Sequence, residues 1–148
     1  MNLGFYVNNT SDTPLNAEIY DLLNKAVEEN EVSDATLFYN EIDFNPREKK
    51  FGTFNSTDLW SFSGALVVTT LDALLMSSRV VNDIDLIYLY TNDVKNNLMH
   101  LLDITKGVTV VTRSKEEQDN FYRLTGRETI LLEEFTAPEI LKVCNERV

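Results

Sequence analysis

Ligand chemistry in this chain of 148 residues would have to come from short polar clusters that each follow an apolar run. They are Asn8, Asn9, Thr10 and Ser11; Asn40 and Glu41; Thr69 and Thr70; Thr91, Asn92 and Asp93; and Thr112, Arg113 and Ser114. Short hydroxyl and amide side chains hydrogen-bond a sugar or another small polar ligand, and they are also what turns and helix N-caps require. The structural role carries the greater weight. Arg113 with Ser114 is the sharpest pair, because a cation and a hydroxyl beside the free backbone donors of a helix start suit a phosphate. The competing role is an ion pair for Arg113 and a plain cap for Ser114. The ligand-binding candidates are therefore Asn8, Asn9, Thr10, Ser11, Thr69, Thr70, Thr91, Asn92, Arg113 and Ser114.

No catalytic set stands out. The loop after the first apolar run holds no glycine, so the G-x-G-x-x-G dinucleotide fingerprint fails, and no G-x-x-x-x-G-K-[ST] run offers a phosphate cradle. No cofactor is expected. His100 is the only histidine and Cys144 the only cysteine, so a His-rich or Cys-based metal site is excluded, as is an internal disulfide, and a Ser-His-Asp triad would rest on His100 alone. Asp83 and Asp85 flank Ile84, and Glu133 adjoins Glu134. Carboxylate pairs do acid and base work when they share a site; neighbours in a strand point to opposite faces, so both pairs read as solvated. Phe38, Tyr39, Phe44, Phe51, Phe54, Trp60 and Phe62 read first as packing, with Phe51, Phe54, Trp60 and Phe62 as candidates for a protein interface if they lie exposed.

Charge narrows the partners. Thirteen Lys and Arg against 24 Asp and Glu leave a net charge of −11, which repels nucleic-acid backbones and anionic lipid headgroups. Neither nucleic acid nor a membrane is an expected partner. Leu3 to Val7 is too short an apolar stretch for a signal peptide or a membrane span, and with one cysteine the chain reads as intracellular. The sequons at Asn8, Asn9 and Asn55 read as turn residues.

The elements that must position these groups alternate. Leu3 to Val7 reads as a strand, and Pro14, capped by Asp12 or Thr13, opens a helix whose apolar face is Leu15, Ile19, Leu22, Leu23, Ala26 and Val27. Ala35 to Tyr39 is a buried strand. Residues 45–64 read as a surface excursion followed by an aromatic packing segment. Then come a strand over Ala65–Thr69, a helix over Thr70–Ser78 and a strand over Ile84–Tyr90. Asp93 caps a helix carrying Val94, Leu98, Leu101 and Leu102, and Val108–Thr112 is a strand. A capping box of Ser114 and Glu117 opens a helix that Gly126 closes. Thr129–Leu132 and a helix opened by Pro138 follow. This rhythm predicts one α/β domain over residues 1–148, a Rossmann-like three-layer sandwich with a mostly parallel open sheet.

The stretch NNTSDTPLNAEIYDLLNKAVEENEVSDATLFYNEIDFNP, then FGTFNSTDLWSFSGALVVTT, and on through the RLTG of Arg123 to Gly126, resembles a small protein carried by tailed marine cyanophages. That likeness implies a phage-encoded protein in the host cytoplasm and brings no activity with it. The order of elements, with TVVTRSKEEQDNFYRLTG as late strand and helix, is similar to the N-terminal half of GT-B type glycosyltransferases. It implies a half-fold without the second domain that holds most of the sugar nucleotide. Two functions follow as expectations. The first is a non-enzymatic module acting through protein contacts, with a phage or host partner or with itself; the alternative is a binder of a nucleotide sugar or sugar phosphate.

Overall fold

The computed structural model describes residues 1–80, 83–91 and 102–145. Along the chain these form β1 (Leu3–Asn9), α1 (Pro14–Glu28), β2 (Ala35–Glu41), β3 (Gly52–Asn55), a 3-10 helix (Ser56–Ser61), β4 (Gly64–Val68), α2 (Leu71–Ser78), β5 (Ile84–Leu89), β6 (Thr109–Thr112), α3 (Lys115–Thr125), β7 (Ile130–Leu131) and α4 (Ala137–Asn145). The seven strands make one sheet in the order β3-β2-β1-β4-β5-β6-β7, and every pairing is parallel. It is an open, Rossmann-like α/β sheet. The helix expected from Asp93, with Asn92 and His100, lies outside the described residues.

Alternation along each strand divides the core in two. Leu3, Phe5 and Val7 of β1, with Ala65, Val67, Ile87, Leu89 and Val111, face the layer of α1 and α4. Tyr6, Phe38, Leu66, Val68, Tyr88, Tyr90 and Val110 face the opposite layer of the 3-10 helix, α2 and α3. Coverage of both faces is what an all-parallel sheet requires. In α1, Ile19, Leu22, Leu23 and Ala26 are buried at helical spacing, and each large side chain so buried contributes about 1.5–3 kcal/mol of transfer free energy. Thr13 is the cap, its hydroxyl accepting the Asn16 amide at 3.1 Å. Ser114 caps α3, and Gly126 closes it in the left-handed conformation with φ of 73°.

The segment 45–64 departs from its expected description. It contains β3, an edge strand registered on β2 with Phe38 opposite Phe54, and then the 3-10 helix. Only Phe54 in β3 is a large apolar residue, so no hydrophobic run announces the strand; backbone pairing to β2 makes it.

Gly64 opens β4 at φ of +129°, where an added Cβ would lie 2.5 Å from the Asn2 carbonyl oxygen. Gly64→Ala is expected to lower stability by about 2–4 kcal/mol in urea unfolding, from backbone strain and the clash together. Gly107→Ala, at φ of +79° with open space around it, is expected to lose about 1–2 kcal/mol, the cost of the left-handed backbone alone.

Candidate functional site

In open parallel sheets ligands bind beyond the carboxyl ends of the strands where the strand order reverses. Here that point lies between β1 and β4, with Asn8 to Ser11 on one side and Thr69 and Thr70 on the other. The structure gathers these residues at one edge and gives most of them partners within the chain. Thr10, only 4% exposed, donates its hydroxyl to the Asp43 carbonyl at 2.6 Å and accepts the Asp43 amide at 2.7 Å. Asn45 Nδ2 donates to the Thr10 carbonyl at 3.0 Å. The Asn9 amide oxygen accepts both the backbone amide and the hydroxyl of Ser11, while buried Asn16 donates to the Asn9 and Ser11 carbonyls at 3.0 and 2.7 Å. Tyr6 donates to Asn40 Oδ1 at 2.6 Å, and Asn40 donates onward to Asn8 at 3.3 Å.

Across the reversal, Thr69 donates its hydroxyl to the Tyr6 carbonyl at 3.0 Å, and Thr70 caps α2 by accepting the Ala73 amide at 3.1 Å. Thr91 is half-buried just past β5. Arg113 forms an ion pair with Glu18, and its guanidinium lies 4.4 Å from the centroid of the Phe135 ring. The shallow hollow beside it is also lined by Asp21, Lys25 and Glu134, so carboxylates outnumber cations there and the setting does not favour a phosphate. Ser114 accepts the Glu117 amide at 3.2 Å and donates to its carboxylate at 2.9 Å.

This network closes the β2–β3 loop over the strand ends. Arg47, ion-paired to Asp12 at 2.8 Å, ties its far end to the start of α1. Held in this way, the loop exposes Ile42 by 71% and Phe44 by 81%. Neither was singled out as an interface residue from the sequence, because apolar type alone does not distinguish a packed ring from a displayed one. Among the four interface candidates, Phe51 and Phe62 are buried, whereas Phe54 and Trp60 are 46% and 55% exposed.

A second feature lies near the amino ends of β1, β2 and β4, on the face covered by the 3-10 helix. It is a hollow of about 400 Å³ walled by Phe38, Phe54 and Phe62 and rimmed by Asp34 and Asp58. Glycines make room for its rings. A Cβ on Gly52 would lie 2.9 Å from the Phe54 ring, and one on Gly4 would lie 3.0 Å from the Phe62 ring. Asp83 and Asp85 line a different hollow together. The expectation that they face apart is corrected here: residues two apart in an extended strand share a side, and only immediate neighbours oppose.

Among the described residues, electrostatics adds no poised acid or base at the carboxyl edge. Burial pushes the Tyr20 phenol up, with Asp12 adding to it. Burial also raises Tyr90, against the pull of the hydrogen bond from Asn120. Arg47 is raised by its hydrogen bond to Asp12, and Lys50 by its bond to Glu28. All four move further from the neutral range in which proton transfer is efficient. Among the described residues no group of three or more His, Cys, Asp or Glu gathers to hold a metal ion. No helix of the described residues is long and apolar enough to cross a membrane. Comparison with models of known protein families, with curated proteins and with solved structures finds no match to this chain.

Thr10→Val keeps the shape of the side chain and removes both bonds to Asp43. Leaving those groups without their partner is expected to lower stability by about 1–3 kcal/mol. Hydrogen exchange at the Asp43 amide, followed by NMR, is expected to rise at the same time; unchanged protection there would show that Thr10 does not hold the loop.

Proposed function

We propose that the chain is a non-enzymatic α/β module that acts through protein contacts, its partner being a phage or host protein or a second copy of itself. We take up with it the sequence resemblance to a small protein of tailed cyanophages, and so a site of action in the host cytoplasm. The observation that carries the reading is the loop bearing Ile42 and Phe44. Two large apolar side chains stand in solvent on a backbone fixed by Thr10, Asn45 and the Arg47–Asp12 pair. Apolar groups presented on an already ordered segment lose little further conformational freedom on association, which is how a small patch contributes binding energy. Phe54 and Trp60 add exposed aromatic surface at the β3 edge. The polar rim that a nucleotide sugar or sugar phosphate would need is bonded internally, and Arg113 is held by Glu18 and Phe135. The resemblance of the order of elements to half of a GT-B glycosyltransferase is taken here as one of style alone, since a fold persists without its site.

Sedimentation and crosslinking tests this with the parent and an Ile42→Ser, Phe44→Ser double variant. The variant is expected to fold normally, because both side chains are solvated, and to weaken association about tenfold or more. A folded variant that associates as the parent does would remove this loop from the account. Thermal unfolding with nucleotides, sugar nucleotides and sugar phosphates is expected to show no shift. A ligand at a hundred times its dissociation constant would stabilise by about 2.7 kcal/mol, and that result would put the small-ligand reading in place of this one.

A further inference from the structure

We propose that the hollow walled by Phe38, Phe54 and Phe62 binds a small organic cation, an alkylammonium or alkylguanidinium, as a free molecule. The site is separate from the Ile42–Phe44 loop, and the inference does not rest on the role of that loop. Its walls come from two paired strands, β2 and β3, and from Phe62 at the end of the 3-10 helix. Phe54 on β3 lies across from Phe38 on β2, with ring centroids 6.4 Å apart and planes tilted by 38°. Phe62 crosses Phe38 edge to face at 5.4 Å and fills the space above Gly4 on β1. The absence of a side chain at Gly52 lets the Phe54 ring fold back along its own strand. An aromatic face carries negative quadrupolar charge and attracts a cation lying over it.

The rim carries the same preference. Asp34 precedes Thr36 and Phe38 by steps of two, so the pleat sets all three on one face of β2, and Asp58 comes from the 3-10 helix above. Neither carboxylate has a hydrogen-bond or ion-pair partner among the described residues, and no Lys or Arg lines the hollow. Lys50, close to Asp34 in a neighbouring depression, is paired with Glu28. A bare metal ion does not suit the set: beside two carboxylates the lining holds only the neutral Asn2, Thr36, Ser61 and Ser63 and three hydrocarbon rings, and among the described residues no three or more His, Cys, Asp or Glu gather to hold one. A neutral or anionic ligand would leave the carboxylates unmatched or repelled. An organic cation satisfies both features, its charge toward the aspartates and its alkyl stem against the rings. The volume of about 400 Å³ falls within the roughly 300–1,000 Å³ of small-molecule sites.

Calorimetric and NMR titration of the full chain with n-butylguanidinium, n-butylammonium and the neutral isostere n-butylurea tests this. Both cations are expected to saturate in the millimolar range or below, with shifts at Phe38, Phe54 and Phe62, and the urea to bind about tenfold more weakly or not at all. Asp34→Asn with Asp58→Asn, and separately Phe54→Leu, are expected to weaken the cations about tenfold and several-fold. These residues are solvated enough for the variants to keep the parent's thermal unfolding. Equal binding of the urea, unchanged affinity in the carboxamide variant, or no saturation by either cation would overturn the proposal. So would binding of an arginine-bearing peptide without binding of the free cations, which would make the hollow a protein contact.

Discussion

Five consecutive buried residues, Leu3 to Val7, make β1 the strand on which the rest of the molecule is hung. It is hydrogen-bonded to β2 on one side and β4 on the other, and because both pairings are parallel both of its faces must be covered. Its alternation meets that demand with Leu3, Phe5 and Val7 toward α1 and α4, and with Tyr6 toward the other layer. The same strand supports both candidate surfaces. Tyr6 accepts Thr69 at its carbonyl and reaches Asn40 with its hydroxyl, knitting the carboxyl edge. Gly4, two residues earlier on the same face, leaves the gap that the Phe62 ring enters.

Charge works within that frame as a positioning device. The pairs of Arg47 with Asp12, Lys50 with Glu28 and Arg113 with Glu18 sit at the surface and are partly solvated, where such pairs contribute little to stability. Their consequence is geometric: each ties a loop or helix start to α1. With 13 cationic residues against 24 acidic ones, at least eleven carboxylates have no cationic partner to take. An aspartate beside an aromatic wall then becomes a place where a cation from outside is the natural counterpart.

Elements that announce themselves locally were legible in the sequence. Pro14 after a capping Thr13, the Ser114 and Glu117 box, and Gly126 at the far end each encode a helix boundary through backbone chemistry of a few residues. The alternation of such helices with apolar runs sufficed for a parallel three-layer sheet. β3 was not legible, because an edge strand with one large apolar residue is made by the partner it pairs with. Strand order was hidden for the same reason, being written in backbone hydrogen bonds that carry no side-chain signature. At the candidate sites the decisive contacts join residues far apart in sequence, Thr10 to Asp43 across 33 positions and Phe54 to the β2 ring of Phe38. Residue type showed that Asn8 to Ser11 can hydrogen-bond; it did not show to what.

What those hydrogen bonds are made to decides between uses of the carboxyl edge. A polar ligand there would have to take buried Thr10 from Asp43, and a buried group left without its partner costs about 1–3 kcal/mol before any new bond is counted. Replacing one satisfied set by another of similar strength leaves little net affinity, since a hydrogen bond exchanged for a hydrogen bond is nearly neutral. A surface that docks on Ile42 and Phe44 asks nothing of that network. It removes apolar area from water at about 25 cal/mol per Å² while the bonds beneath stay in place and keep the loop in position. On the proposed reading, polar residues in the usual place for a ligand act as a scaffold for an apolar contact.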